Sequence, residues 1–266
     1  METDSRTVRQ ISARTGLGLK FVSKDMFLSK ALKGLEPLLT DECVLKGGTA
    51  VSRSGYMATP RFSEDVDLDL YTNKDRNAVG KSFLELLKRL EGFDVEGPGV
   101  QRGCLRYDAY FENHFGEKDR VRIELALRQG RPPDESGVPK TLLQSQFTLG
   151  QACVIKTYSK IGLFVRKVDA LANRMDGKDA FDIWGMWERS TDAKVIVAEL
   201  DAYLKTDKRK SETILSNAIR NVERMKSNQR MIANSTNHFI PRSERPDWGM
   251  LLNEVGALML RIRKAI

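Results

Sequence analysis

One run constrains this chain more than any other: Asp65-Val66-Asp67-Leu68-Asp69-Leu70-Tyr71. Carboxylate and apolar side chains alternate through it, and a period of two is the period of an extended strand. Val66, Leu68 and Leu70 therefore fall on one face, and Asp65, Asp67 and Asp69 on the other. Strands disfavour Asp, and like charges placed side by side repel. Two carboxylates on one strand face hold a hard divalent cation through oxygen and leave positions open for water and phosphate oxygens. The same pattern also suits an edge strand whose charged face keeps other chains away, so the run alone leaves both readings open. Asp69 reads as the solvated member of the row.

Upstream, a short strand Cys43–Lys46 enters Gly47-Gly48-Thr49, and a helical segment follows over 50–55. Backbone amides at a strand-to-helix turn hold phosphate oxygens, and glycine lets phosphates approach closely. No Gly-Lys-Ser/Thr follows at the spacing of a P-loop, which argues against that class of NTPase.

Elsewhere the pattern predicts a short helix within 1–19 and a helix over 27–39 with Ser23 as its N-cap, ended or bent by Pro37. A helix over 76–90, strands over 104–111, 120–127 and 152–158, and a Gly/Pro-rich loop over 130–139 follow. Beyond residue 158 only helical periodicity appears, over 161–175, 178–189, 193–204, 211–232 and 248–264, with Phe181, Trp184 and Trp187 as core. The fold class expected is α+β, a mixed-sheet domain over 1–158 followed by an all-helical domain over 159–266.

With 266 residues, 41% of them apolar, the chain is long enough for a substantial core. No apolar run approaches the ~18 residues of a membrane span, and no basic-then-apolar segment opens the sequence, so a soluble, cytoplasmic protein is expected. Cys43, Cys104 and Cys153 lie far apart in strand-like stretches and read as buried, inert thiols. His114 and His238 lack the neighbours of a hydrolase triad or a histidine metal site. The net charge of +8 fits a polyanionic partner, either nucleic acid or a phosphate-bearing substrate.

Taken together, Leu45-Lys46-Gly47-Gly48-Thr49-Ala50 and Arg61-Phe62-Ser63-Glu64-Asp65-Val66-Asp67-Leu68 resemble motif I of the AbiEii family. These are nucleotidyltransferase-like toxins of type IV toxin–antitoxin systems, similar also to the mycobacterial MenT toxins. The resemblance is near-continuous over 24–70. Its one departure is a slightly longer loop between Gly48 and Asp65, with the extra residues around 56–60. In the wider superfamily a third carboxylate often comes from a neighbouring strand, and Glu124 is the candidate. The other reading of Glu124 is a surface residue paired with Arg122 or Arg106.

A second cluster lies in the helical part. Lys160, Lys167 and Arg174 recur every seven residues on one helix face, and Asp179 and Asp182 share a side of the next helix. An exposed hairpin of ion pairs has this pattern as well. Lys167-Val168-Asp169-Ala170-Leu171, Arg174 and Lys178-Asp179-Ala180-Phe181-Asp182 also resemble the family's later motif, a Lys-x-x-Ala-Leu-x-x-Arg helix followed by Lys-Asp-x-x-Asp. Carried over, the resemblance implies that Lys167 contacts the nucleotide's phosphates and that Asp182 serves near the metal or the base. Further on, over 204–231, Lys205, Lys208, Arg209, Lys210, Arg220, Arg224, Lys226 and Arg230 outnumber Asp207, Glu212 and Glu223. A basic helical surface of this kind suits an RNA backbone or is a solvated face without a partner.

The expectation is thus a nucleotidyltransferase whose helical domain completes the active-site cleft. Asp65 and Asp67, with Glu124, would hold Mg²⁺ or Mn²⁺. Gly47, Gly48, Thr49, Ser63 and Arg174 would bind the nucleoside triphosphate, and Lys167 and Asp182 would act with Asp65 and Asp67 in catalysis. The resemblance implies the 3′ end of tRNA as acceptor, a block to translation, and an antitoxin encoded nearby that need not form a stable complex. Transfer of a nucleotide to a protein hydroxyl, transfer of a γ-phosphoryl group, and a nucleotide- or RNA-binding module without turnover are the alternatives.

Overall fold

The computed structural model describes residues 5–101, 103–148, 150–205 and 208–266. Two helices, α1 (Ser5–Thr15) and α2 (Leu19–Leu35), precede the sheet. The sheet is made from β1 (Cys43–Lys46), β2 (Asp65–Tyr71), β3 (Asp94–Gln101), β4 (Cys104–Glu112) and β5 (Lys118–Arg128). Their spatial order is β1-β2-β5-β4-β3, with β2 and β5 parallel and the other neighbours antiparallel. The alternating run is therefore an interior strand, and the edge-strand reading of its carboxylates falls away. Val66 and Leu68 meet Ile123 and Leu125 in register on the buried face, where Leu105, Tyr107 and Ala109 join them. Burial pushes the Tyr107 phenol up to about 12, and its hydroxyl donates to Gly80 O at 3.1 Å.

Two elements have no counterpart in the expectation. β3 contains Gly97-Pro98-Gly99 and is mostly exposed, so apolar alternation, the signal that betrays a strand, is missing from it. β6 (Lys140–Leu143) pairs with β7 (Cys153–Lys156) in a small separate sheet. Between β1 and β2 lies α3 (Gly47–Arg53), so the glycines are the first turn of a helix and not a loop before it. α4 (Arg76–Leu87) is capped by Asp75, whose carboxylate accepts from the amides of Asn77 and Ala78.

Ser23 is not an N-cap. α2 begins four residues earlier, and Ser23 is buried within it with its hydroxyl 2.7 Å from His114 Nδ1. Cys43 and Cys153 are buried as expected, whereas Cys104 is only half-buried.

The chain separates into two compact units, one of residues 1–55 and 60–158, the other of 56–59 and 159–266. The second comprises α5 (Lys160–Asn173), α6 (Gly177–Met186), α7 (Ala193–Leu204), α8 (Ser211–Ser227), α9 (Gln229–Thr236) and α10 (Trp248–Arg263). The single helix expected over 211–232 breaks at Asn228, which leaves helical geometry and donates from its side chain to Arg224 O. Phe181 is core, but Trp184 and Trp187 are only half-buried: Trp184 donates to Glu254 at 2.7 Å, and Arg261 lies over the Trp187 ring. The extra loop residues serve this unit, because buried Met57 packs against Gly185 of α6. Among the described residues no helix is long and apolar enough to cross a membrane.

Candidate active site

Gly47 takes φ +72°, a conformation that L side chains rarely adopt, and the Asp67 carboxylate lies directly on it. A β-carbon there would stand 2.0 Å from Asp67 Oδ2. At Gly48 a β-carbon would meet Arg61 Nη2 at 2.7 Å and Ser63 Oγ at 2.8 Å. The two glycines are thus required by close approach on the protein's own side, with Asp67, Arg61 and Ser63 as the approaching groups. Thr49 is fully buried, and its hydroxyl lies within reach of Ser63 Oγ at 3.0 Å and of Asp65 O, tying the start of β2 to α3. Arg61 is buried as well and donates to Phe62 O at 2.9 Å.

The parallel pairing of β2 with β5 sets Glu124 beside Asp67 and Arg122 beside Asp65. In-register neighbours project to the same face, so Asp65, Asp67 and Glu124 form one carboxylate patch, with Arg122 Nη1 3.8 Å from Asp65 Oδ1. Among the described residues no three His, Cys, Asp or Glu side chains already converge on a common point. The donor set is nonetheless the all-oxygen one that suits a hard divalent cation.

Asp69 corrects the expectation. It is 1% exposed and bound on every side. Oδ1 accepts from Lys46 Nζ at 2.6 Å and from Arg128 Nε at 3.0 Å, and Oδ2 accepts from the Tyr158 hydroxyl at 2.7 Å. The Tyr71 hydroxyl lies 2.9 Å from that of Tyr158. Burial would raise the carboxyl's pKa, but Lys46 and Arg128 outweigh it and hold the group below its ordinary range.

In the helical unit the second cluster is a buried charge network. Lys167 Nζ lies 3.0 Å from Asp179 Oδ1 and 2.7 Å from Asp182 Oδ2. Arg174, just past the end of α5, grips Asp179 with Nε at 2.7 Å and Nη2 at 3.1 Å. Asp179 is fully buried; burial opposes its charge, yet Lys167 and Arg174 hold its carboxyl far below the ordinary carboxylate range. Lys160, the third residue of the sequence row, pairs instead with Glu188. The basic stretch is partly structural too: Arg209 grips Asp169 through Nη1 at 2.6 Å and Nη2 at 3.2 Å, with the Tyr203 hydroxyl at 2.9 Å. Lys226 pairs with Glu223, and Asp207 lies outside the described residues.

Asp65, Asp67, Glu124, Gly47, Gly48, Thr49 and Ser63 therefore gather in the first unit, and Lys167, Arg174 and Asp182 in the second. Sequence reasoning missed Lys46, Arg61, Arg128 and Tyr158, and it missed Asp179 as the centre of its cluster. Arg128 was recoverable, since the period of two that places Arg122 and Glu124 on the polar face also places Arg128 there.

The sequence matches the family model described as nucleotidyl transferase AbiEii toxin, type IV toxin–antitoxin system, over residues 30–255. No curated protein matches it. Among solved structures, a candidate nucleotidyltransferase of H. pylori superposes with a TM-score of 0.59 at 18% identity, covering 93% of this chain and 96% of that one. The nucleotidyltransferase toxin MenT4 of Mycobacterium tuberculosis H37Rv superposes with a TM-score of 0.64 at 16% identity, covering 100% of this chain and 94% of its own. At such identities the likeness is one of fold.

Proposed function

The chain belongs to the AbiEii family of nucleotidyl transferase toxins of type IV toxin–antitoxin systems, and from that premise we propose that it transfers a nucleotide from a nucleoside triphosphate to the 3′ end of tRNA, blocking translation. The observation that carries the reading is the Asp67 carboxylate seated on Gly47, with Asp65 and Glu124 on the same sheet face. An oxygen-only patch beside a glycine turn is what a triphosphate and its counter-cation require.

In the proposed reaction the acceptor's 3′-hydroxyl oxygen bonds to the α-phosphorus. The bond from that phosphorus to the α–β bridging oxygen breaks, and pyrophosphate leaves with the electron pair. The hydroxyl proton leaves to solvent. Asp65, Asp67 and Glu124 would hold Mg²⁺ or Mn²⁺, which when bound neutralises charge on the triphosphate. Gly47, Gly48 and Ser63 orient the phosphates, and Thr49, fully buried, acts from behind by fixing Ser63 and the start of β2. Lys167, Arg174 and Asp182 are assigned to nucleotide handling because they complete the family's later motif. The net charge of +8 supports an RNA acceptor, and membership of a type IV system implies an antitoxin partner, which need not form a stable complex.

The test is incubation with total tRNA, Mg²⁺ and each α-labelled nucleoside triphosphate, with Asp67→Ala as control. Label on tRNA from the wild type alone is the expected result. Label on protein would replace this reading with protein nucleotidylation, and transfer from γ-labelled nucleotide only would replace it with phosphoryl transfer.

A further inference from the structure

We propose that Lys46 and Arg128, held on the buried carboxylate of Asp69, form the subsite for the last phosphodiester of the acceptor RNA. The inference rests on the transfer reaction above and adds where the acceptor lies.

The argument is one of direction along β2. β1 runs antiparallel to β2 with Lys46 opposite Asp67 and Val44 opposite Asp69, so the glycines that follow Lys46 lie at the Asp65 end of the row. Ser63, against Gly48, is at that end too. The triphosphate side of the patch is therefore the Asp65 side. Displacement at the α-phosphorus places the entering and leaving oxygens roughly in line, on opposite sides of the phosphorus. With pyrophosphate leaving toward Gly48 and Ser63, the acceptor enters from the other end, which is the Asp69 end. Asp69 lies two residues along the strand from Asp67, about 7 Å.

Two cations stand there, fixed by one carboxylate that is 1% exposed. The Lys46 side chain is 21% exposed and that of Arg128 37%, so both present surface while their charged groups are anchored. The carboxylate fixes the geometry of both cations before any ligand arrives. The Tyr158 hydroxyl donates to the same carboxylate, and the Tyr71 hydroxyl holds that of Tyr158. A preorganised cation pair of this kind matches a phosphodiester through charge-assisted hydrogen bonds, and it contacts the backbone without reading the base.

The test uses the full chain and a tRNA that the wild type labels, prepared with a natural last linkage or a neutral methylphosphonate. Arg128→Gln raises the KM for natural tRNA about tenfold or more while the KM for the nucleotide stays within about twofold. The neutral linkage does the same to the wild type, and combining the two adds little, because both remove one contact. Lys46→Gln follows the same pattern. If Arg128→Gln does not fold, Arg128→Lys and the methylphosphonate measurement decide alone. An unchanged tRNA KM, a raised nucleotide KM, or fully multiplicative effects would overturn the subsite while leaving the transfer reading intact. Failure of the wild type to label any RNA would overturn both.

Discussion

The Asp67 carboxylate occupies the space that a side chain at residue 47 would need, with Oδ2 2.0 Å from where a β-carbon would sit. Gly47 also holds φ +72°. The first glycine of the motif therefore serves the carboxylate row as much as any phosphate: it lets strand and helix N-terminus close together so that Asp67 is aimed by backbone.

Gly47→Ala is accordingly expected to cut the transfer rate by about 100-fold or more, since displacing a reacting group's neighbour by about 1 Å has effects of that size. Positive φ and the clash together should also destabilise the first unit by about 1–3 kcal/mol. Asp67→Ala should abolish transfer with little loss of stability. Thermal melts beside the labelled-nucleotide assay distinguish the two: equal activity of Gly47→Ala and wild type would show that Asp67 is not positioned through this contact.

The strands that carry the site were legible because they combine a buried and a polar face, as Val66/Asp67 and Ile123/Glu124 do. Partnership was legible only through the family resemblance, which offered Glu124 as the third carboxylate beside Asp65 and Asp67. β5 inserts beside β2 out of chain order, and no local pattern announces a parallel pairing across some fifty residues. The fate of Asp69 was hidden for the same reason. Its partners Lys46, Arg128 and Tyr158 come from three distant segments, so a residue that looks solvated in the alternation is buried in the fold. β3 was missed on other grounds, since it offers hydrogen bonds to β4 but almost no apolar face.

The helical unit should be acid-labile through Asp179. Its folded pKa is depressed, so its contribution to stability is complete above the unfolded carboxylate value near pH 4 and is lost as pH falls through the folded value. Asp179→Asn leaves Lys167 and Arg174 facing a neutral group and should cost about 3–5 kcal/mol near neutral pH. Melting curves of both proteins from pH 7 down to pH 2 check this. The gap between them should narrow below about pH 4, and a constant gap would mean that the Asp179 charge is not what stabilises the unit.

Arg209 separates structure from RNA binding within the basic stretch. Its two-pronged grip on Asp169, shared with Tyr203, anchors the start of α8 to α5. Arg209→Ala should lower stability by about 1–3 kcal/mol, because the Asp169 carboxylate loses its two charge-assisted hydrogen bonds and keeps only those from Tyr203 and Asn173. Affinity for tRNA should change less than about twofold, with no change in its salt dependence, because this guanidinium is engaged within the protein. A lowered salt slope with an unaltered melt would assign Arg209 to the nucleic acid instead.

Divalent cations supply the last prediction. Asp65, Asp67 and Glu124 repel one another across one sheet face, and a bound cation would relieve that repulsion in the folded state only. Millimolar Mg²⁺ or Mn²⁺ should therefore raise the melting temperature of the wild type, by an amount that grows with the logarithm of concentration once the site is filled. Chelation should return it to the starting value without unfolding the sheet, whose buried apolar face and Asp69 network owe nothing to the cation. Asp67→Asn removes one ligand and one repelling charge together. Its melting temperature without metal should equal or exceed that of the wild type, and Mg²⁺ should no longer raise it. A cation-induced rise of equal size in Asp67→Asn would place the binding elsewhere and remove this carboxylate from the proposed metal site.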